Sequence, residues 1–145
     1  MRSAYQALGH TIAGLVAVQA AVIAFAVMGL WSWVRDGHDL TTGQVKADNF
    51  DSTGAVGFAL HSVIGMIVIP LLAIAMLVVA FRAGIDGGTK WAGMLLGAVV
   101  LQVALGVLGE DLPALGLLHG ILALGIAWLG WHAASFAVAG EHSLV

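Results

Sequence analysis

Two histidines inside apolar stretches are the residues of this chain best suited to chemistry. His61 lies six residues after Ala55, and His119 lies six residues after Pro113, near the starts of two long apolar stretches. Histidine is rare within membrane-spanning segments, where it usually marks a functional site. Because an α-helix rises 1.5 Å per residue, both imidazoles would lie about 9 Å below the same membrane surface. Equal depth on two parallel helices predicts a ligand shared between the two rings.

Small residues beside the two histidines predict space for a large, flat ligand. At about 100° of rotation per residue, most of these small residues fall on the same helix face as the nearby histidine. The small residues are Gly54, Gly57 and Gly65 beside His61, and Gly116, Gly120 and Ala123 beside His119. Gly120 directly follows His119 in the sequence. A flat macrocycle between two imidazoles is the arrangement of a b-type haem with two axial histidines. We therefore predict that His61 and His119 bind the iron of haem b.

The histidine pair also allows two alternatives to haem. Imidazoles without a metal would need hydrogen-bond partners in lipid, and the nearby candidates are Ser62, Gln19 and Gln102. For these three polar residues themselves we expect hydrogen bonds between helices, and the small residues could equally serve close helix packing. Zinc or copper is the second alternative, but no third ligand is evident at this depth and closed zinc sites use four.

A second haem between His10 and His132 is the weaker alternative to a single haem. His10 lies near the start of the first apolar stretch, and His132 lies near the end of the fourth. Both are thus predicted at the opposite membrane surface from His61 and His119. His132 follows His119 by 13 residues, which places it about 140° around the helix, so one helix face does not carry both ligands. Interfacial histidines near lipid headgroups are the alternative. We predict one haem, with two as the alternative.

The composition requires a membrane and sets the fold class. Of 145 residues, 61% are hydrophobic and only 9% are charged. A hydrocarbon core of about 30 Å needs about 20 apolar residues per helix, so four spans and their loops use the whole chain. The predicted fold is an all-α, integral membrane, antiparallel four-helix bundle that forms a single domain over residues 1–145. The predicted spans are 8–34, 55–82, 91–108 and 113–138, with an outer loop at 35–54.

Charge and cysteine usage restrict orientation and function. Three basic residues lie on the side of the termini (Arg2, Arg82 and Lys90), and two lie on the other side (Arg35 and Lys46). Since basic residues favour the cytoplasmic side, this count predicts that both termini are cytoplasmic in a bacterial plasma membrane. The chain has no cysteine, which excludes disulfides, thiolate metal sites, iron–sulfur clusters and covalently attached haem. The net charge of −3 provides no basic patch for nucleic acid.

Two short motifs resemble one four-helix half of haem A synthase. They are "FALHSVIG" around His61 and "LLHGILALG" around His119, whose histidines are 58 residues apart on the second and fourth of four predicted helices. In that family the second and fourth helices of each half supply histidine ligands. The resemblance covers nearly the whole chain and implies that His61 and His119 are axial ligands.

The resemblance does not extend to catalysis. The catalytic half of the family carries a glutamate three residues before the first histidine and an arginine directly after it. This chain has Phe58 and Ser62 at those places, and it lacks the cysteine pair that many members carry in the outer loop. The chain is therefore similar to the half that only holds haem b.

These observations predict a non-catalytic, haem-binding electron carrier in a lipid bilayer. Two strong axial ligands leave iron no open position for oxygen, so we expect electron transfer within or beside a respiratory complex or another redox membrane protein, or in a homo-oligomer. The alternative is a haem-free structural or assembly subunit of a membrane complex. A transporter is the poorest candidate, because the predicted spans contain no Asp or Glu to couple ions.

Overall fold

A computed structural model, which describes residues 1–47 and 51–142, shows an all-α bundle with no strand in that part of the chain. A π-helical segment, Ile64–Val68, joins α3 and α4 into one continuous spanning helix, Ala55–Ala83. The helices are α1 (Arg2–Arg35), α2 (Thr42–Ala47), α3 (Ala55–Val63), α4 (Ile69–Ala83), α5 (Gly88–Gly109) and α6 (Ala114–His142).

Four of these helical stretches are long and apolar enough to cross a membrane. They are Arg2–Arg35, Ala55–Ala83, Gly88–Gly109 and Ala114–Phe136. Large apolar side chains cover the outside of the bundle; for example, Leu117 is 73% exposed and Leu124 is 72% exposed. Such a surface is stable against lipid and unfavourable in water. The predicted all-α bundle of four spanning helices is confirmed, and it fits a multi-pass membrane protein.

The predicted outer loop 35–54 contains one helix that the sequence analysis did not predict. The short helix α2 follows Thr41. The hydroxyl of Thr41 donates to Oε1 of Gln44 at 2.8 Å, and it accepts from the backbone N–H of Gln44 at 3.3 Å. This is a side-chain cap of the kind that starts helices. Residues 48–50 of the predicted loop lie outside the described residues.

The spanning helices follow one another around the bundle. α1 packs against α6 and against α3 and α4, while α5 packs against α4 and α6. A Cβ atom on Gly9 would lie 2.6 Å from the carbonyl oxygen of Gly130, so the start of α1 crosses the second half of α6. The start of α1 and the end of α6 therefore lie at one end, here called the terminal end. The opposite end, with segments 36–47, 51–54 and 110–113, is the loop end.

The packed core lies toward the terminal end. Its fully buried side chains include Ile12, Met76, Leu95 and Ile126, and the buried hydroxyl of Tyr5 donates a 2.9 Å hydrogen bond to the carbonyl oxygen of Gly88. By contrast, no residue from 100 to 125 is buried. α3 packs mainly against α1. Burial in α5 and α6 is thus concentrated toward the terminal end.

Candidate functional site

His61 on α3 and His119 on α6 lie near each other toward the loop end of the bundle. Their ring centroids are 6.2 Å apart, their planes differ by 53°, and both residues are partly buried. Metal–imidazole bonds of about 2 Å on both sides of one metal would separate the centroids by about 6 Å. A flat macrocycle requires both rings to stand upright to it, but it permits any rotation between them. The structure therefore brings the two predicted ligands to a spacing that suits haem.

Each imidazole is oriented by a backbone carbonyl. Nδ1 of His61 lies 3.3 Å from the carbonyl oxygen of Gln19 on α1, and Nδ1 of His119 lies 3.0 Å from that of Gln102 on α5. A carbonyl oxygen only accepts, so the proton of each neutral ring is on Nδ1 and the lone pair is on Nε2. Metal-binding histidines are usually held by this kind of bond. Both rings thus have the tautomer that binds a metal through Nε2.

The two halves of the site repeat one arrangement. In each half, a histidine on the later helix of a hairpin donates to the backbone of a glutamine on the earlier helix. Each glutamine follows a glycine by five residues, Gly14 before Gln19 and Gly97 before Gln102. This shared spacing is the sequence signal that could have identified the repeat.

The glutamines make a different contact from the one expected of them. The predicted interhelical hydrogen bond is present at Gln19, whose Nε2 donates to the carbonyl oxygen of His61 at 2.9 Å. The imidazoles, however, bond to glutamine backbone atoms instead of amide side chains. Ser62 is exposed on the outside of the bundle. The backbone carbonyls of α1 and α5 were the partners that sequence patterns could not identify.

The prediction of an open space beside Gly54, Gly57 and Gly65 is wrong, because α1 packs against these glycines. A Cβ atom on Gly57 would lie 2.8 Å from the carbonyl oxygen of Val22 and 2.9 Å from Cβ of Ala26. One on Gly65 would lie 2.7 Å from Nε2 of Gln19. These glycines allow close contact between helices, as small residues often do in membranes.

The other small residues lie in three different settings around His119. Gly116 and Gly120 are exposed, with no atom within 4 Å of an added Cβ, while Ala123 packs partly against the core. Gly106 on α5 was not predicted to take part. A Cβ atom there would lie 3.2 Å from Cε1 of His119, so glycine at this place makes room for the ring.

His10 and His132 are held by different aromatic partners. The ring of His10 meets Trp131 edge-on at 4.9 Å. The ring of His132 stacks on Trp128 at 4.8 Å and meets Trp91 edge-on at 4.5 Å. Among the ring contacts of the described residues, none joins His10 to His132. The structure therefore gives the second pair no arrangement like that of His61 and His119.

The ligand set at the site suits iron in a macrocycle better than a bare metal ion. Within the described residues, no group of three or more His, Asp or Glu side chains could hold a metal. Zinc in a closed site requires four ligands from the protein. Haem iron takes four nitrogens from its own macrocycle and needs only two from the chain. A pair of histidines therefore suits the coordination needs of haem better than those of a bare ion.

The fold defines the chain as a four-helix, multi-pass membrane protein with paired histidines in its interior. Comparisons with protein-family models, curated proteins and solved structures found no match. The similarity to haem A synthase stays a prediction from two short motifs.

Proposed function

We propose that the protein is a membrane-embedded b-type cytochrome that binds one haem through His61 and His119 and transfers electrons. The observation that carries this proposal is the 6.2 Å separation of two imidazoles, each bonded through Nδ1 to a carbonyl oxygen. Two carbonyls on different helices orient both rings for binding through Nε2.

The residues of the chain would hold the cofactor and control access to it. Haem, when bound, supplies a one-electron carrier. His61 and His119 would hold the haem iron through Nε2, and we propose electron transfer as the function of this site. The apolar walls of α3, α5 and α6 would exclude water and limit the reorganisation around a change of charge.

The position of the site favours exchange of electrons at the loop end. Both histidines lie about 9 Å from the starts of their helices at that end. We propose that the termini are cytoplasmic in a bacterial plasma membrane and that the loop end faces outward. The partner would be a respiratory complex, another redox membrane protein or a second copy of the chain.

One observation favours the competing function, a haem-free structural or assembly subunit. Each imidazole already has a hydrogen-bond partner in the preceding helix, which would satisfy a structural histidine. The exposed glycines Gly93 and Gly97 on α5 would then provide a surface for another membrane helix.

An optical spectrum of the detergent-purified protein separates the two functions. After expression with a haem precursor, the cytochrome should show a sharp Soret band and split visible bands on reduction with dithionite. His61→Ala and His119→Ala should each abolish haem retention, whereas His10→Ala and His132→Ala should retain it. A colourless wild-type protein would refute the proposal, and loss of half the haem in either control would show that the count of one is wrong.

A further inference from the structure

The side chain of Gln19 is buried at a helix crossing and makes a specific contact with a candidate ligand. Only 8% of Gln19 is exposed. Its Nε2 donates to the carbonyl oxygen of His61 at 2.9 Å, while its own carbonyl oxygen accepts from Nδ1 of the same histidine at 3.3 Å. These two reciprocal bonds hold the backbone and the ring of His61 together against α1.

The contact lies where the regular hydrogen-bonding pattern of the spanning helix is interrupted. The N–H of Ile64 is shared between the carbonyl oxygens of Leu60 and His61. A π turn follows immediately, in which the N–H of Ile69 reaches the carbonyl oxygen of Ile64, and Pro70 comes next without an N–H to donate. The Gln19 amide thus adds a side-chain bond to the backbone directly before this irregular segment.

The equivalent glutamine in the second hairpin lacks this contact. The backbone carbonyl of Gln102 accepts from His119, as that of Gln19 accepts from His61. The side-chain oxygens of both glutamines are buried without a hydrogen-bond partner. Among the hydrogen bonds of the described residues, however, only the amide of Gln19 donates to the backbone of its histidine. The two positions therefore share the ring contact and differ in the side-chain contact.

We infer that Gln19 is a positioning residue, whose amide fixes the orientation of the His61 ring relative to the ring of His119. The inference rests on the proposed function, because it concerns a ligand of the proposed haem. Gly65 belongs to the same device, since a Cβ atom there would lie 2.7 Å from Nε2 of Gln19. Only glycine at that position leaves room for the amide.

The test replaces Gln19 by a side chain of similar volume that cannot donate. Gln19→Met should raise the haem dissociation constant about tenfold, the lower limit for losing a hydrogen bond in the shell behind a metal ligand. It should also shift the g values of the ferric protein in electron paramagnetic resonance and the midpoint potential, because both depend on the angle between the axial rings. Gln6→Met, the same exchange on the same helix but 13 residues before Gln19, is the matched control and should leave all three unchanged.

A second variant tests the same bond without altering the glutamine. Gly65→Ala should displace the amide and reproduce the spectroscopic shift, and Gly93→Ala, where an added Cβ meets no atom within 4 Å, is its control. If Gln19→Met does not fold, Gly65→Ala alone decides. Unchanged g values in the folded variants, or equal shifts in Gln19→Met and Gln6→Met, would overturn the inference although the wild type binds haem. A wild type without haem would instead refute the proposed function.

Discussion

At the scale of single residues, the site depends on the space left around two imidazoles. The ligands themselves could be predicted from sequence, because polar rings in apolar helices are conspicuous and their depth follows from helix rise. Their orienting partners could not. Any residue can offer a backbone carbonyl, so nothing in the residue types of Gln19 or Gln102 indicates that bond.

Gly106 provides a test of this space at His119. Gly106→Ala would place a Cβ atom 3.2 Å from Cε1 of the ring, so either the ring or α5 must move by a few tenths of an ångström. We expect a weaker haem complex, with a dissociation constant raised about tenfold, the lower end of the range for disturbing the groups around a metal ligand. Haem titration of the purified apoprotein measures it.

Gly97→Ala is the control for this prediction, because it lies on the same helix and an added Cβ there meets no atom within 4 Å. Equal haem affinity in both variants and the wild type would show that His119 has more room than the structure indicates.

At the scale of elements, the last three spans could be predicted to within a few residues, while the first helix begins at Arg2, six residues before the predicted start. The packing faces of the helices could not be predicted. Hydropathy defines a span whatever its neighbours are. The predicted second span at 55–82 corresponds to Ala55–Ala83 in the structure. Periodicity also placed Gly57 and Gly65 on the face of His61. It could not show that this face meets α1, because the choice of neighbour depends on the whole bundle.

The crossing of α1 and α3 predicts a cost for any side chain at Gly57. Gly57→Ala would bring Cβ to 2.8 Å from a backbone oxygen that cannot move independently. We expect the free energy of unfolding to fall by about 1–3 kcal/mol, the usual cost of overpacking. Unfolding in mixed micelles with increasing dodecyl sulfate, followed by circular dichroism, measures this change.

The matching substitution on α1 is Gly14→Ala, where an added Cβ meets no atom within 4 Å. It should be neutral or stabilising by about 0.4–1 kcal/mol, because alanine restricts the unfolded chain. A loss at Gly14 as large as the loss at Gly57 would show that glycine is needed there for some reason other than the crossing.

At the scale of the whole molecule, burial differs between the two ends of the bundle. The terminal end holds the buried cluster and the Tyr5 hydrogen bond, while no residue from 100 to 125 is buried. The hydropathy of the sequence does not show this difference. Hydropathy responds equally to lipid, to protein and to a bound macrocycle.

This difference in burial predicts that haem stabilises mainly the loop-side half. A ligand at 1,000 times its dissociation constant adds about 4 kcal/mol to the stability of a protein that binds it only when folded. The macrocycle would touch α3, residues 100–109 of α5 and residues 114–125 of α6, because the core around Met76 and Leu95 is already closed. Amide hydrogen exchange in micelles, with and without haem, should therefore show added protection over residues 55–63 and 100–125 and little change over residues 88–99. The His61→Ala variant with added haem is the control. Equal added protection in both halves of the wild type would contradict binding of haem in the loop-side half.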